Sequence, residues 1–122
     1  MAPDDRQRLG KEGERAAVEF LRARQLLIRE VNFRCPSGEI DIIAEDGEVV
    51  VFVEVKTRSS ENFGLPEEAV HYHKQKKIIQ AALYYLQKHG WHDRDCRFDV
   101  ISIMVKGNNI EKIDHIIDAF SA

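Results

Sequence analysis

Apolar and polar positions change period several times along the chain, and each change marks an element. Over residues 5–25, Leu9, Gly13, Ala16, Ala17, Phe20 and Leu21 recur at helical spacing, with Arg6, Arg8, Lys11, Arg15 and Arg22 mostly opposite. That spacing predicts an amphipathic helix. Residues 26–34 alternate as a strand, with Leu27, Val31 and Phe33 on one face and Glu30, Asn32 and Arg34 on the other. After a Cys35-Pro36-Ser37-Gly38 turn come two strands, near 39–45 and 48–57, joined at Asp46-Gly47, a pair suited to a tight hairpin. Ser59 to Leu65, with Gly64 and then Pro66, reads as a mobile loop. A second helix is predicted over 67–89 by the stripe Val70, Lys74, Ile78, Ala81, Ala82, Tyr85 and Leu86, with Gly90 as terminator. Residues 96–106 alternate as a further strand. The stretch from Ile110 to Phe120 has no clean period and reads as a short strand around 112–117.

The hairpin concentrates the chemistry. With its turn at Asp46-Gly47, Glu39 lies opposite Glu54, and Asp41 lies opposite Phe52 and diagonal to Glu54; a β-bulge near Glu54 would set Asp41 directly opposite it. Alternation projects Glu39, Asp41, Glu54 and Lys56 from one face. The other face carries Ile40, Ile42, Ala44, Val49, Val51, Val53 and Val55. Ile43, Val50 and Phe52 are apolar on the charged face, toward the turn. A strand pair apolar on both sides is a central pair covered by helices, as in α/β folds. The charges mark where that cover stops.

Two carboxylates about 5 Å apart repel by roughly 3 kcal/mol at an effective dielectric near 20. Lys56 offsets part of this, and an exposed ion pair returns only about 0–1 kcal/mol. A divalent cation that prefers hard oxygen ligands, Mg²⁺ or Mn²⁺, would turn the repulsion into coordination. The plainer alternative is a hairpin end splayed into water. An aspartate combined with Glu-x-Lys on one face favours the metal site.

Composition narrows the picture. The 122 residues, 43% of them apolar, suit one domain spanning 1–122. A charged fraction of 32% and the lack of a long apolar run predict a soluble protein outside the membrane, and the start lacks a secretory signal. Cys35 and Cys96 have no metal-binding spacing and read as reduced packing residues of a cytoplasmic protein, with a disulfide between them left open. A net charge of −3 argues against a polycation that coats nucleic acid, though not against a nuclease whose own site is acidic.

Two further features point at the hairpin. Glu14 stands beside the apolar stripe of the first helix, so it needs either a same-helix arginine or the acidic hairpin end as its neighbour. The run His71-Tyr72-His73-Lys74-Gln75-Lys76-Lys77 is the strongest local positive charge, either a solvated helix face or a phosphate contact. None of the five histidines reads as a metal ligand.

The order helix, three strands, helix, strand, with Asp41 on the second strand and Glu54-Val55-Lys56 on the third, resembles the restriction-endonuclease-like superfamily and its PD-(D/E)xK motif. Within it, the chain resembles the small bacterial YraN-like family, related to archaeal Holliday-junction resolvases. The resemblance rests on Gly13-Glu14 with Ala17, Asn32-Phe33-Arg34, Gly38-Glu39-Ile40-Asp41 and Val53-Glu54-Val55-Lys56-Thr57-Arg58. It continues through Gly64-x-Pro66, Val70 with Lys74, Ala81-Ala82, Arg97-Phe98-Asp99-Val100 and Ala119-Phe120. Ile40 replaces the proline that precedes the aspartate in the bare motif. The resemblance implies an α/β fold with an αβββαβ core, its mixed central sheet flanked by helices. It also implies a metal-dependent DNA endonuclease, with branched DNA in repair or recombination as a substrate class. Asp41 and Glu54 would bind Mg²⁺ or Mn²⁺ with the Val55 carbonyl, Glu14 would complete the site and Glu39 would act through water. Lys56 would position the attacking water, and Arg34, Arg58, Lys74 and Lys77 would hold the phosphate backbone. A resolvase acting on a two-fold-symmetric junction would be expected to form a homodimer. The competing readings are a non-catalytic module that keeps the fold and binds nucleic acid or protein, and a purely structural acidic cluster.

Overall fold

In the computed structural model, residues 3–59 and 70–122 are described, the first seven of these as backbone only. The elements are α1 (Pro3–Ala23), β1 (Leu27–Cys35), β2 (Gly38–Asp46), β3 (Val49–Ser59), α2 (Tyr72–Lys88), β4 (Cys96–Lys106) and β5 (Asn109–Phe120). The expected α/β fold and αβββαβ order are present, with β5 added at the far edge. The five strands lie in the order β1-β2-β3-β4-β5, antiparallel throughout except for β3 and β4. A parallel neighbour requires a crossover, and α2 lies within it.

The double-sided apolar pattern of β3 explains the layering. Val51 and Val53 pack with Ile42, Ala44, Ile101 and Ile103 beneath Ala17 and Leu21 of α1. Val50 and Phe52 pack with Ile43, Phe98 and Val100 beneath Ile78, Ala81, Ala82 and Tyr85 of α2. Helix α1 comes very close to the sheet at Gly13, where an added Cβ would sit 2.3 Å from Thr57 Oγ1. No helix among the described residues is long and apolar enough to cross a membrane.

Several expectations need correcting. Helix α1 ends before residue 25 because Gln25 adopts φ +69°, while the Gln25 and Leu26 amides donate to the Arg22 and Leu21 carbonyls at 2.8 and 3.0 Å. These two bonds close a helix C-terminus in the Schellman pattern. The hairpin turn is Gly47-Glu48, not Asp46-Gly47, so Asp46 pairs with Val49 and Ile42 with Val53. Gly47 has φ +60° while Glu48 does not enter the left-handed region, the pattern of a type II′ turn with glycine first. Arg94 and Asp95 hold this choice: Arg94 Nη2 donates to the Glu48 carbonyl at 2.8 Å, and the Val50 amide donates to the Asp95 carbonyl at 2.9 Å.

Ile40 does not share a face with Ile42 and Ala44; it packs with Phe33 on the α2 side. The switch falls where Asn32 of β1 takes φ +56° and the β2–β3 ladder ends at Ile42 and Val53. On β1 only Phe33 is buried, leaving Leu27 and Val31 exposed on an edge strand. Helix α2 starts at Tyr72, after Val70 turns into the core and His71 is extended, while the Val70 carbonyl accepts from Gln75 Nε2 at 3.0 Å; residues 67–69 of the expected helix lie outside the described residues. The loop expected after Ser59 lies outside the described residues. β5 is far longer than the stretch 112–117, since β4 offers it a full-length edge and Phe120 stacks on Phe98 at 5.1 Å.

Candidate functional site

The two central strands separate just beyond Ile42 and Val53, and the candidate site begins there. Asp41 uses its carboxylate where the ladder stops: the Val55 amide donates to Asp41 Oδ2 at 2.8 Å. A side-chain acceptor thus replaces the backbone carbonyl that a continued ladder would supply. Glu54 follows Val50 and Phe52 on the α2 face and is 5% exposed. The expected pairing of Glu39 with Glu54, and of Asp41 with Phe52, is corrected by the two-residue register shift; Phe52 pairs with Ile43 instead. The β2–β3 ladder has no bulge; it ends at Ile42 and Val53, and Asp41 and Glu54 lie just beyond it, near enough to act on each other.

The electrostatics follow from burial. Removal from water pushes Glu54 up to about 7 from 4.5, and the neighbouring Asp41 charge adds to this, while Lys74 and Lys56 pull the other way. Burial likewise raises Asp41, with the Val55 amide and Lys74 opposing. Lys74 Nζ of α2 pairs with Glu54 Oε1 at 2.5 Å although the lysine side chain is 44% exposed. Burial alone would lower Lys74; its hydrogen bond to Glu54 and the charges of Glu54, Asp41 and Glu39 raise it.

Glu14 leans toward this end of the sheet. It is raised first by burial and further by Asp41 and Glu39, and is held against that rise by a hydrogen bond to the Asn32 side chain. Asn32 itself adopts φ +56°, a left-handed conformation that asparagine takes up more readily than other residues with a side chain. Glu39 stands further out, with Oε2 3.5 Å from Arg34 Nε, both side chains mostly exposed. Beside it, a cavity of about 540 Å³ opens between the β1–β2 turn and α2, lined by Arg34, Cys35, Glu39, Lys74, Lys77 and Ile78 among others.

Lys74 and Glu54 are thus in contact, with Asp41, Glu14, Glu39 and Lys56 near enough to act on one or both electrostatically. Arg58 lies apart, half-buried beside Met104 and four residues along β3 from Glu54, roughly 13 Å at strand spacing. Among the described residues, no three His, Cys, Asp or Glu side chains converge into a ready-made metal cage. Sequence reading did not foresee Asn32 as the partner of Glu14, or the Val55 amide as that of Asp41. Nor did it foresee the second buried acid, Asp99 of β4, with 0% exposure. The apolar run around Asp99 was the available signal, since an acid there needs a buried partner. Arg97, His115 and the Asp118 amide fill that role.

An αβββαβ mixed sheet with a buried and a half-buried carboxylate at the parting of its central strands defines the structural class. The chain belongs to UPF0102, described as "Uncharacterised protein family UPF0102", whose model matches residues 13–103. It is 47% identical to a UPF0102 protein of Geotalea uraniireducens over 95% of this chain and 91% of that relative. It is 49% identical to one of Thermodesulfovibrio yellowstonii over 92% and 95%. A Myxococcus xanthus relative is 43% identical over 99% and 95%. The matched span runs from Gly13-Glu14 of α1 through most of β4 and so contains Asn32, Asp41, Glu54 and Lys74.

Proposed function

We propose that this protein is a metal-dependent DNA endonuclease, a single endonuclease-like domain over 1–122, in which Asp41 and Glu54 hold Mg²⁺ or Mn²⁺. The observation carrying this reading is the pair formed by half-buried Asp41 and buried Glu54. Both acids are raised by burial, they repel one another, and their nearest counter-charge is a half-exposed lysine. Such under-neutralised pairs in a cleft mark functional sites more often than structural ones. The donor set fits the ion. Mg²⁺ commonly keeps several waters and uses one or two protein carboxylates together with substrate phosphate. Two carboxylates without a third are compatible with that mode.

The cation would supply acidification of water and neutralisation of charge at the phosphate. Asp41 keeps its position through the Val55 amide, which leaves its other oxygen free of that bond. Lys56 adds a point charge beside Glu54 and would orient the attacking water. Glu14 and Glu39 would act through water at the margin, while Arg34, Lys74 and Lys77, with Arg58 further along β3, would hold the DNA backbone. Branched DNA as substrate, a homodimer matched to a two-fold junction and a cytoplasmic location complete the reading.

The Lys74–Glu54 ion pair favours one alternative, a non-catalytic module that closes its acidic site with its own lysine. Calorimetric titration with Mn²⁺ and Mg²⁺, with and without a DNA junction, separates the two. Saturable binding in the natural chain, lost in Asp41→Asn, is expected for the nuclease and justifies screening junctions, flaps and single strands for cleavage. No binding under either condition sinks the nuclease in favour of the module.

A further inference from the structure

We propose that the cavity between the β1–β2 turn and α2 binds a phosphate of a DNA strand. Filling it would draw Lys74 away from Glu54 and release the carboxylate pair for the divalent cation. The inference rests on the nuclease reading and adds an order to it: strand and metal bind cooperatively, with Lys74 as the exchanging group.

Lys74 borders both places. Its ammonium pairs with Glu54, and the same side chain lines the cavity with Arg34 and Lys77. At 44% exposure on a flexible four-carbon stem, it can change partners without moving its helix. In the closed arrangement it pairs with Glu54 Oε1, so a metal and the ammonium compete for one carboxylate. A strand phosphate in the cavity offers the ammonium an equivalent counter-charge. The cavity also contains an opposing acid, Glu39, but Arg34 lies 3.5 Å from it and covers part of its charge. Cys35 and Ile78 give the cavity an apolar side, suited to a deoxyribose next to the phosphate. Linkage then makes the effect reciprocal: whatever factor the strand adds to metal affinity, the metal adds to strand affinity.

The test measures Mn²⁺ affinity calorimetrically, well above neutral pH, for the natural chain, Lys74→Met and Lys77→Met. Each is titrated with and without a saturating single-stranded oligodeoxynucleotide. Strand affinity is read separately by fluorescence anisotropy, and folding by circular dichroism. In the natural chain the strand should tighten Mn²⁺ binding by about tenfold. Lys74→Met should tighten Mn²⁺ binding without strand by a similar factor and cut the strand's effect to less than about twofold. Lys77→Met should weaken strand binding and leave strand-free Mn²⁺ affinity unchanged. The proposal is overturned if Lys74→Met fails to tighten strand-free Mn²⁺ binding, or if the strand's effect persists in that variant; the carboxylate site survives either result. Mn²⁺ binding with no strand binding removes the cavity assignment alone. Absence of Mn²⁺ binding in every combination takes the nuclease reading down with it.

Discussion

Asp99 and the Asp41–Glu54 pair are all carboxylates withdrawn from water on one sheet, yet they are partnered in opposite ways. Asp99 Oδ1 accepts from the Asp118 amide at 2.9 Å and from Arg97 Nε at 3.1 Å, and Oδ2 lies 2.8 Å from His115 Nε2. Burial would raise this acid, but His115, the Asp118 amide and Arg97 outweigh it and hold Asp99 below 3.8. His115 is itself buried, with the edge of Phe20 at 6.0 Å, and Asp118 accepts φ +56° to aim its amide. The network ties β5 to β4 and leaves no oxygen for a ligand. At the other site burial wins: Asp41 and Glu54 are both raised, and neither is fully compensated. Asp99 is paired on every side, whereas the Asp41–Glu54 pair is held together against its own repulsion.

The contrast can be broken most sharply at Asp99. Replacing it with Ala strands His115 in the interior, while Arg97 keeps Asp46, and should cost about 3–5 kcal/mol by urea unfolding. Mn²⁺ affinity of the folded fraction should not change. A loss below about 1 kcal/mol would put Asp99 in the same class as Asp41.

Acid and base responses should also run in opposite directions. Glu54 has a folded value above its unfolded one, so the folded chain keeps a proton that the unfolded chain releases. Its contribution to stability is therefore full below 4.5 and lost as pH rises to about 7. The loss is on the order of 3 kcal/mol, and Glu54→Gln should flatten that slope in urea unfolding across the window. Asp99 has a lowered folded value, so its contribution is present above 3.8 and disappears as pH falls through the folded value. An unchanged slope in Glu54→Gln would mean the pair is not the group that titrates.

A smaller effect is expected at Asp41. An asparagine there can still accept the Val55 amide while removing the repulsion, so Asp41→Asn should gain about 1 kcal/mol at neutral pH. Mn²⁺ at a hundredfold excess over its dissociation constant should raise the natural chain's stability by about 2.7 kcal/mol and leave this variant unmoved. Least of all should follow from Arg34→Ala, an exposed change within about 0.5 kcal/mol. Its signature belongs to the cavity instead, as weaker strand binding and a shallower salt dependence in anisotropy.

Much of the fold was legible because its signals are local. Periodicity placed two helices and their apolar stripes, the double-sided apolar run marked β3 as covered, and alternation put Asp41, Glu54 and Lys56 on one face regardless of register. The shift of the turn from Asp46-Gly47 to Gly47-Glu48 preserved the faces of the paired residues Ile42 to Asp46 and Val49 to Val53 because it moved the pairing by two residues, a full period, whereas Ile40 beyond the ladder changed sides. It could not be read from the hairpin alone, since Arg94 and Asp95, far along the chain, help hold it.

The sequence by itself determined the order of elements, the family pattern and the acidic motif, all of which depend on neighbours in the chain. Tertiary structure alone decided that Asp41 spends an oxygen on Val55, that Lys74 closes over Glu54, that Ile40 changes sides and that Asp99 is satisfied by β5. Each of these is a contact between segments separated in sequence, set by which groups the packed core leaves without water and which partners the fold then brings within reach.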